Sequence, residues 1–360
     1  MKILLLEEYS GFFSNLKKGF EKEGHEVILC GTPDNWKKIQ GLDLYIGSPF
    51  KGIIDKIIRR IQLLLHLKKF KGFDVVLILN QSFFLWGLSN LVLNYVAKNN
   101  KKIFLISCGG DVPYAEYGLS GKFKKGHWPY ENCEDNNILK YKNAFNTKLH
   151  KKIASVINGV IPITYEYSVS WKSSEYEKLV KSTIQSPIDT DSIKPFYLNL
   201  KKEDKVVFFH GLNREGYKGT DFIRIAMENM KKKYPSKMKI IIDGRMPLKK
   251  YLKTLETVDV IIDSCKAYTY SSMNTLYGMS LGKVLMVHCE EECLREFNLP
   301  NLPPLIKIKA EVAFIENQIE KVINRDFDLN QLSRQSRQFA TSFHDSRIVA
   351  KKYSNLFDSN

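Results

Sequence analysis

The chain has 360 residues, 44% hydrophobic and 12% aromatic, with 55 Lys and Arg against 39 Asp and Glu and a net charge of +16. That length and apolar content accommodate two cores and exclude a disordered chain. The positive surplus suits phosphate-rich ligands, anionic lipid or nucleic acid and carries no information about fold.

Met1 to Glu8 turns acidic too early for a signal peptide, and the apolar stretch Phe73 to Ala97 is interrupted by Asn80, Gln81 and Ser82. A buried strand followed by a buried helix is expected there, not a membrane span. Cys30, Cys108, Cys133, Cys265, Cys289 and Cys293 contain no Cys-x-x-Cys pair. Reduced thiols are therefore expected, with no zinc ribbon and no bound metal, His288 with Cys289 and Cys293 being the one cluster of ligand-type residues. These features predict a cytoplasmic protein.

In chain order, Ile3–Leu6 is a continuous apolar run, as in a parallel strand covered on both faces. Ser10-Gly11 opens a helix with Phe13, Leu16 and Phe20, ending at Gly24, and Val27–Cys30 is the second strand. Lys51–Lys69 has helical periodicity, with Ile53, Ile54, Ile57, Ile58, Ile61, Leu64 and Leu65 forming a stripe ringed by lysines and arginines. Packing of that stripe on its own sheet is the default. The sharper option is an interfacial helix on anionic membrane, because Leu63 and Leu67 widen the stripe beyond one covered face. Further strands fall at Leu42–Ile46, Val75–Leu79, Ile103–Ile106 and within Val156–Ile163.

Ser186–Pro195 lacks a period and reads as a linker. Beyond it, strands are expected at Val206–Phe209, Ile240–Ile242, Val260–Ile262 and Val284–Val287. The intervening helices are Thr220–Lys233, Pro247–Thr257 and Met273–Leu281, and Leu329–Phe357 reads as helical throughout. Strands alternating with helices predict βαβ units and doubly wound parallel sheets. The expected division is residues 1–190, residues 191–340, and a C-terminal segment 341–360.

Open parallel sheets bind ligands at the carboxyl ends of their strands. Four clusters fall there. Gly11, in Glu8-Tyr9-Ser10-Gly11, permits close backbone approach at a helix start. Arg214 and Lys218 flank glycines before Thr220, which suits a diphosphate, although the spacing is not that of a Walker loop. Ser271, Ser272, Met273 and Asn274 open the Met273–Leu281 helix and serve equally as caps or as partners for phosphate and ribose. Asp111, after Ile103–Ile106, is a candidate general base or sugar-hydroxyl acceptor, with an ordinary Asp turn as the alternative.

The run from Asn274 to Met286 resembles the donor-site helix of the large retaining GT-B glycosyltransferase family, whose members often read Glu-Ala-Met-Ala-x-Gly-Lys-Pro-Val-Ile. Lys218-Gly219 after Gly211, Asp259-Val260-Ile261-Ile262-Asp263, and Gly11 with Gly24-His25-Glu26-Val27 resemble further segments of that family. The likeness is greatest to members encoded with capsule or surface-polysaccharide genes. It implies a GT-B fold of two Rossmann-like domains facing across a cleft, a C-terminal helix within 341–360 that packs back on the first domain, a nucleoside-diphosphate sugar as donor and a saccharide acceptor; an interfacial helix at 51–69 would suit a lipid-linked acceptor at the inner membrane face. No metal or resident cofactor is implied. Lys218 and Arg214 would lie on the diphosphate. The family's Glu-x7-Glu pair is absent: its positions are Thr269 and Tyr277. Tyr277 would then meet the ribose without a carboxylate. The alternatives are a non-catalytic nucleotide-sugar-binding or assembly subunit and a nucleotide-sugar 2-epimerase. A nucleic-acid partner is not expected, because aromatics do not interleave with the basic runs.

Overall fold

The computed structural model describes residues 1–84, 88–131, 136–212 and 216–359. It divides into two compact units: residues 1–120, 137–187 and 346–360 form one, and residues 121–136 and 188–345 form the other.

The first unit is built on a six-stranded parallel sheet: β1 Lys2–Leu6, β2 Glu26–Gly31, β3 Leu44–Tyr45, β4 Val75–Leu79, β5 Lys102–Ser107 and β6 Gly159–Pro162. The order is β3-β2-β1-β4-β5-β6, so the direction of winding reverses between β1 and β4. Ile3 to Leu6 and Val75 to Leu79 are buried throughout, which is why they read as unbroken apolar runs and not as an alternating pattern.

The second unit holds β7 Val206–Leu212, β8 Met238–Gly244, β9 Val260–Ile262, β10 Val284–Val287 and β11 Ile306–Lys307. All its pairings are parallel, and read from the β8 edge the order is β8-β7-β9-β10-β11, with the reversal between β7 and β9. The helix Thr220–Lys233 has the predicted bounds. β11, only two residues long, carries no sequence signal of its own.

The predicted helical stretch 329–357 is two helices, Leu329–Phe339 and Ser346–Asp358, separated by a π turn at Ala340–His344 and an extended Asp345. The break falls where the chain leaves the second unit for the first. His344 accounts for part of it: its carbonyl accepts from the Ile188 amide at 2.8 Å, and its Nε2 lies 2.9 Å from the Tyr270 hydroxyl. Ser346–Asp358 then packs on Phe12–Lys22 of the first unit. Phe357 stacks on Phe104 at 5.3 Å between centroids and meets Phe20 at 6.2 Å, while Ser354 Oγ lies 3.0 Å from His25 Nε2.

Two of these helices touch at Gly19. A Cβ there would stand 2.0 Å from the Ser346 carbonyl oxygen and 3.0 Å from the Ala350 methyl. Gly19→Ala must therefore displace the C-terminal helix. We expect a loss of about 1–3 kcal/mol in chemical denaturation, despite alanine's better helix propensity.

Candidate functional site

At the carboxyl end of β9 stands Asp263, with no exposed surface. Burying a lone carboxylate costs several kcal/mol, so its partners decide whether it stays charged. Lys218 Nζ and Asn274 Nδ2 reach Oδ1 at 2.5 and 2.6 Å. Ser272 Oγ and Thr275 Oγ1 reach Oδ2 at 2.5 and 3.0 Å. Burial raises the pKa of this group. The Lys218 ammonium and the hydrogen bonds from Lys218, Ser272 and Asn274 outweigh that effect and hold it at about 2.

Each donor is delivered by local structure. Ser272 caps the helix Met273–Ser280, accepting from the Thr275 amide, so its hydroxyl hydrogen is left for Asp263. Asn274 and Thr275 follow within the same first turn. Lys218 comes from the turn after β7, which is pinned to the β9 edge by the Cys265 amide donating to the Lys218 carbonyl at 3.0 Å. Gly219 adopts a left-handed φ of 73°, and a Cβ on it would meet Cys265 Sγ at 2.3 Å. His210 closes the arrangement from beneath. Its Nδ1 donates to the Ile262 carbonyl at 2.7 Å, which leaves Nε2 to accept from Thr220 Oγ1 at 3.0 Å. Burial lowers its pKa to about 4, so it is a neutral structural residue.

Beside this hub lie groups whose hydrogen bonding is incomplete among the described residues. Tyr251 Oη and Asn274 Oδ1 are buried without a partner. Both residues converge on Gly211: a Cβ there would sit 3.5 Å from the Tyr251 hydroxyl and 3.8 Å from Asn274 Nδ2. Burial, followed by the charge of Asp263 and by Tyr277, drives the Tyr251 phenol well above its usual pKa, so it is a donor at neutral pH. An unpaired buried donor and acceptor cost about 1–3 kcal/mol each, a cost that a polar ligand would remove. Lys218 has three N–H donors, one of them given to Asp263.

Of the residues anticipated from sequence, Lys218, Ser272 and Asn274 meet on Asp263. Ser271 is buried and bonds to Thr269 Oγ1 at 2.9 Å. Met273 and Tyr277 pack in the adjoining apolar cluster. Arg214 lies outside the described residues. Gly11 and Asp111 belong to the first unit. The Gly11 amide donates to Glu8 Oε1 at 2.9 Å and the Ser14 amide to Glu8 Oε2 at 2.6 Å, so the chain's own carboxylate takes the place of an anion at that helix start. Asp111 is fully buried and caps Val112–Leu119, accepting from Tyr114 N, Ser107 Oγ and Trp171 Nε1 at 2.9, 2.6 and 2.8 Å. This is the cap geometry, with both oxygens engaged and neither reaching solvent. Sequence reasoning passed over Asp263 as a hub and Tyr251 altogether. The Asp259–Asp263 run and the Ser272–Thr275 helix start were the signals pointing toward Asp263.

Two parallel Rossmann-like sheets in tandem, with a polar constellation at the carboxyl edge of the second, define the GT-B fold. No family model and no curated protein matches the sequence. Solved structures do match along the whole chain. HepE of Anabaena in complex with UDP-glucose has a TM-score of 0.62 at 11% identity, covering 100% of both chains. An α-glucosyltransferase in complex with UDP and a 13-mer DNA has a TM-score of 0.60 at 11% identity, covering 99% of each. The UDP-GlcNAc 2-epimerase of Neisseria meningitidis bound to UDP-GlcNAc has a TM-score of 0.52 at 11% identity, covering 100% of each. At such identities the likeness is one of fold.

The first unit's edge provides a titration test. Burial lifts the Glu8 pKa from 4.5 to about 7, against the hydrogen bonds from Ser14 and Gly11. The folded state therefore binds this proton more tightly than the unfolded chain. Its contribution to stability is complete below pH 4.5 and is lost as pH rises through about 7. In urea titrations between about pH 5 and pH 8, wild type should lose up to about 3 kcal/mol more than Glu8→Gln, which lacks the ionisation.

Proposed function

We propose that this protein is a GT-B glycosyltransferase that takes a nucleoside-diphosphate sugar at the carboxyl edge of β7 and β9 and transfers the sugar to a saccharide acceptor. The observation that carries this reading is the pair of unsatisfied polar atoms, Tyr251 Oη and Asn274 Oδ1, beside Gly211 and the Lys218–Asp263 pair. The site lies where the winding reverses, the place at which open parallel sheets take ligands. Asp263 stays ionised and anchors Lys218, so the ammonium is fixed in position before substrate arrives. Its two remaining donors and the amides at the start of Met273–Ser280 would meet the diphosphate. As the glycosidic bond breaks, charge grows on the departing phosphate oxygen, and a preorganised cation stabilises it without reorganisation. Retention of configuration and independence from a metal are the finer parts of the proposal and rest on the motif resemblance.

Thr269 and Tyr277, standing where a carboxylate pair is usual, favour a second reading, nucleotide-sugar binding without turnover. Release of UDP from a UDP-sugar in the presence of saccharide acceptors separates the two. The test of the site itself is thermal stabilisation by UDP, GDP, ADP and CMP. A nucleotide at about 100 times its Kd should add about 2.7 kcal/mol. Tyr251→Phe should lower that affinity by about 1–3 kcal/mol while leaving the unliganded protein as stable as wild type or more so. Lys218→Ala should abolish the gain, each variant being compared with its own unliganded melting temperature. Failure of every nucleotide to bind would overturn the proposal.

The proposed setting is assembly of a surface polysaccharide on a lipid-linked acceptor. No helix among the described residues is long and apolar enough to cross a membrane. Gly52–Leu67, however, buries only Leu63. Its stripe faces outward, with Ile53 76% and Leu65 71% exposed, and Ile54, Ile57, Ile61 and Leu64 also exposed. Packing of the stripe on its own sheet, the default expectation, does not occur. Gln62 bonds both the amide and the carbonyl of Gly47, at 2.9 and 3.0 Å, which orients the opposite face inward. Exposed Lys51, Lys56, Lys68 and Lys69 accompany the stripe, a combination suited to anionic lipid. Vesicles containing an anionic lipid should co-sediment the protein and neutral vesicles should do so weakly. Ile57→Glu with Ile61→Glu should reduce binding by at least about tenfold, since each removes about 1.5–3 kcal/mol of apolar burial.

A further inference from the structure

The second unit carries another constellation that the nucleotide site leaves unused. His288 follows the last residue of β10, Glu290 precedes the helix Glu291–Glu296, and His127 arrives on the excursion 121–136, 161 residues earlier than His288. Their ligand-type atoms converge: His127 Nε2 to His288 Nε2 is 3.3 Å, and Glu290 Oε1 lies 3.2 Å from the first and 2.7 Å from the second. Among the described residues this is the group of His, Cys, Asp and Glu side chains close enough to share one ion.

The tautomers follow from the backbone. His288 Nδ1 lies 2.6 Å from the Ile308 carbonyl, and His127 Nδ1 lies 3.0 Å from the Lys125 carbonyl. A carbonyl oxygen only accepts, so each Nδ1 carries the hydrogen. In two neutral rings both Nε2 atoms then present lone pairs toward each other and toward a carboxylate oxygen. In that state three electron-rich atoms meet with no hydrogen between them, an arrangement that a cation would relieve. A tetrahedral zinc-type ion, with bonds of about 2.0–2.2 Å, requires ligand atoms roughly 3.3 Å apart; the spacings of 3.3 and 3.2 Å from His127 Nε2 match it, and the 2.7 Å between His288 Nε2 and Glu290 Oε1 must open as the ion enters. Imidazoles that bind metal keep their other N–H on a carbonyl or carboxylate, as both do here. The backbone is fixed too: the His288 amide donates to the Ser264 carbonyl at 2.8 Å and the Glu290 amide to the Tyr268 carbonyl at 3.0 Å. Lys307 Nζ and Lys124 Nζ, at 3.5 and 3.8 Å from the Glu290 carboxylate, belong to half-exposed side chains that can swing aside for a stronger cation.

We propose that His127, His288 and Glu290 bind one divalent transition ion of the zinc class, with water in the remaining position, and that the ion pins the 121–131 excursion to the β10 edge. None of the nucleotide-site residues takes part, so the two proposals stand or fall separately.

The test uses the full chain, stripped with a chelator and titrated with Co2+ as a spectroscopic probe. The expected result is one equivalent bound, with the visible absorption of a four-coordinate nitrogen and oxygen site, displacement by Zn2+, and a rise in melting temperature that EDTA reverses. Glu290→Gln keeps the side chain's shape, and His127→Ala alters only the excursion. Each should weaken binding by more than about 100-fold, beyond the loss typical of an outer partner, while circular dichroism stays that of wild type. Three results would overturn the proposal: no saturation by ion concentrations on the order of 100 μM, a spectrum unchanged in both variants, or thiolate charge-transfer bands placing the ion on cysteine. The first would mean that a proton alone joins the rings.

Discussion

The second unit is organised around one buried negative charge. Asp263 ends β9 at the point where the sheet reverses its winding, and it reaches no solvent. A carboxylate in that position is tolerable only if its desolvation is countered atom by atom, and four side chains do so. The turn after β7, the start of the helix Met273–Ser280 and the strand end are thereby held in one arrangement. Lys218 is fixed as part of that charge balance, which is also what makes it a preorganised cation.

The first unit resolves the same topological problem in the opposite sense. Glu7 and Glu8 follow β1 at its own switch point, both buried, and burial raises the pKa of each. Their bonds come from backbone amides and hydroxyls such as those of Thr32 and Ser14. No lysine or arginine ion pair to either is seen among the described residues. One edge is therefore built around a charge that persists to low pH, the other around an acid poised near neutrality. Two sheets of one type are tuned apart by whether a single ammonium reaches the carboxylate.

The discontinuity of the units gives the second edge a component that continuous domains would lack. The 121–136 excursion brings Lys124 and His127 to the loops after β9 and β10, with the Lys124 amide donating to the Tyr268 hydroxyl at 2.7 Å. The same loops thus serve Asp263 at one end and Glu290 at the other. A ligand or ion at either place would act on a shared piece of backbone, through the bond between His288 and Ser264.

Much of the fold was legible because buried parallel strands must be apolar on both faces, and Ile3–Leu6, Val75–Leu79 and Val260–Ile262 announce themselves that way. The helix Thr220–Lys233 was equally plain from its period. The cap at Ser272 and the basic turn at Lys218 were readable as local chemistry. Everything that depended on which distant segments meet was decided by the tertiary structure. Asp263 became a hub only when residues 45 positions before and 9 to 12 after it came together. Asp111, chemically eligible as a base, caps its own helix through the nearby Tyr114 amide, and its second oxygen is closed off by the distant Trp171 together with Ser107. The stripe on Gly52–Leu67 was visible, but which way it faced was set by the Gln62–Gly47 pairing. Periodicity records how often a side chain returns to one face. Contact at long range depends on how the faces are stacked, and no local pattern encodes that.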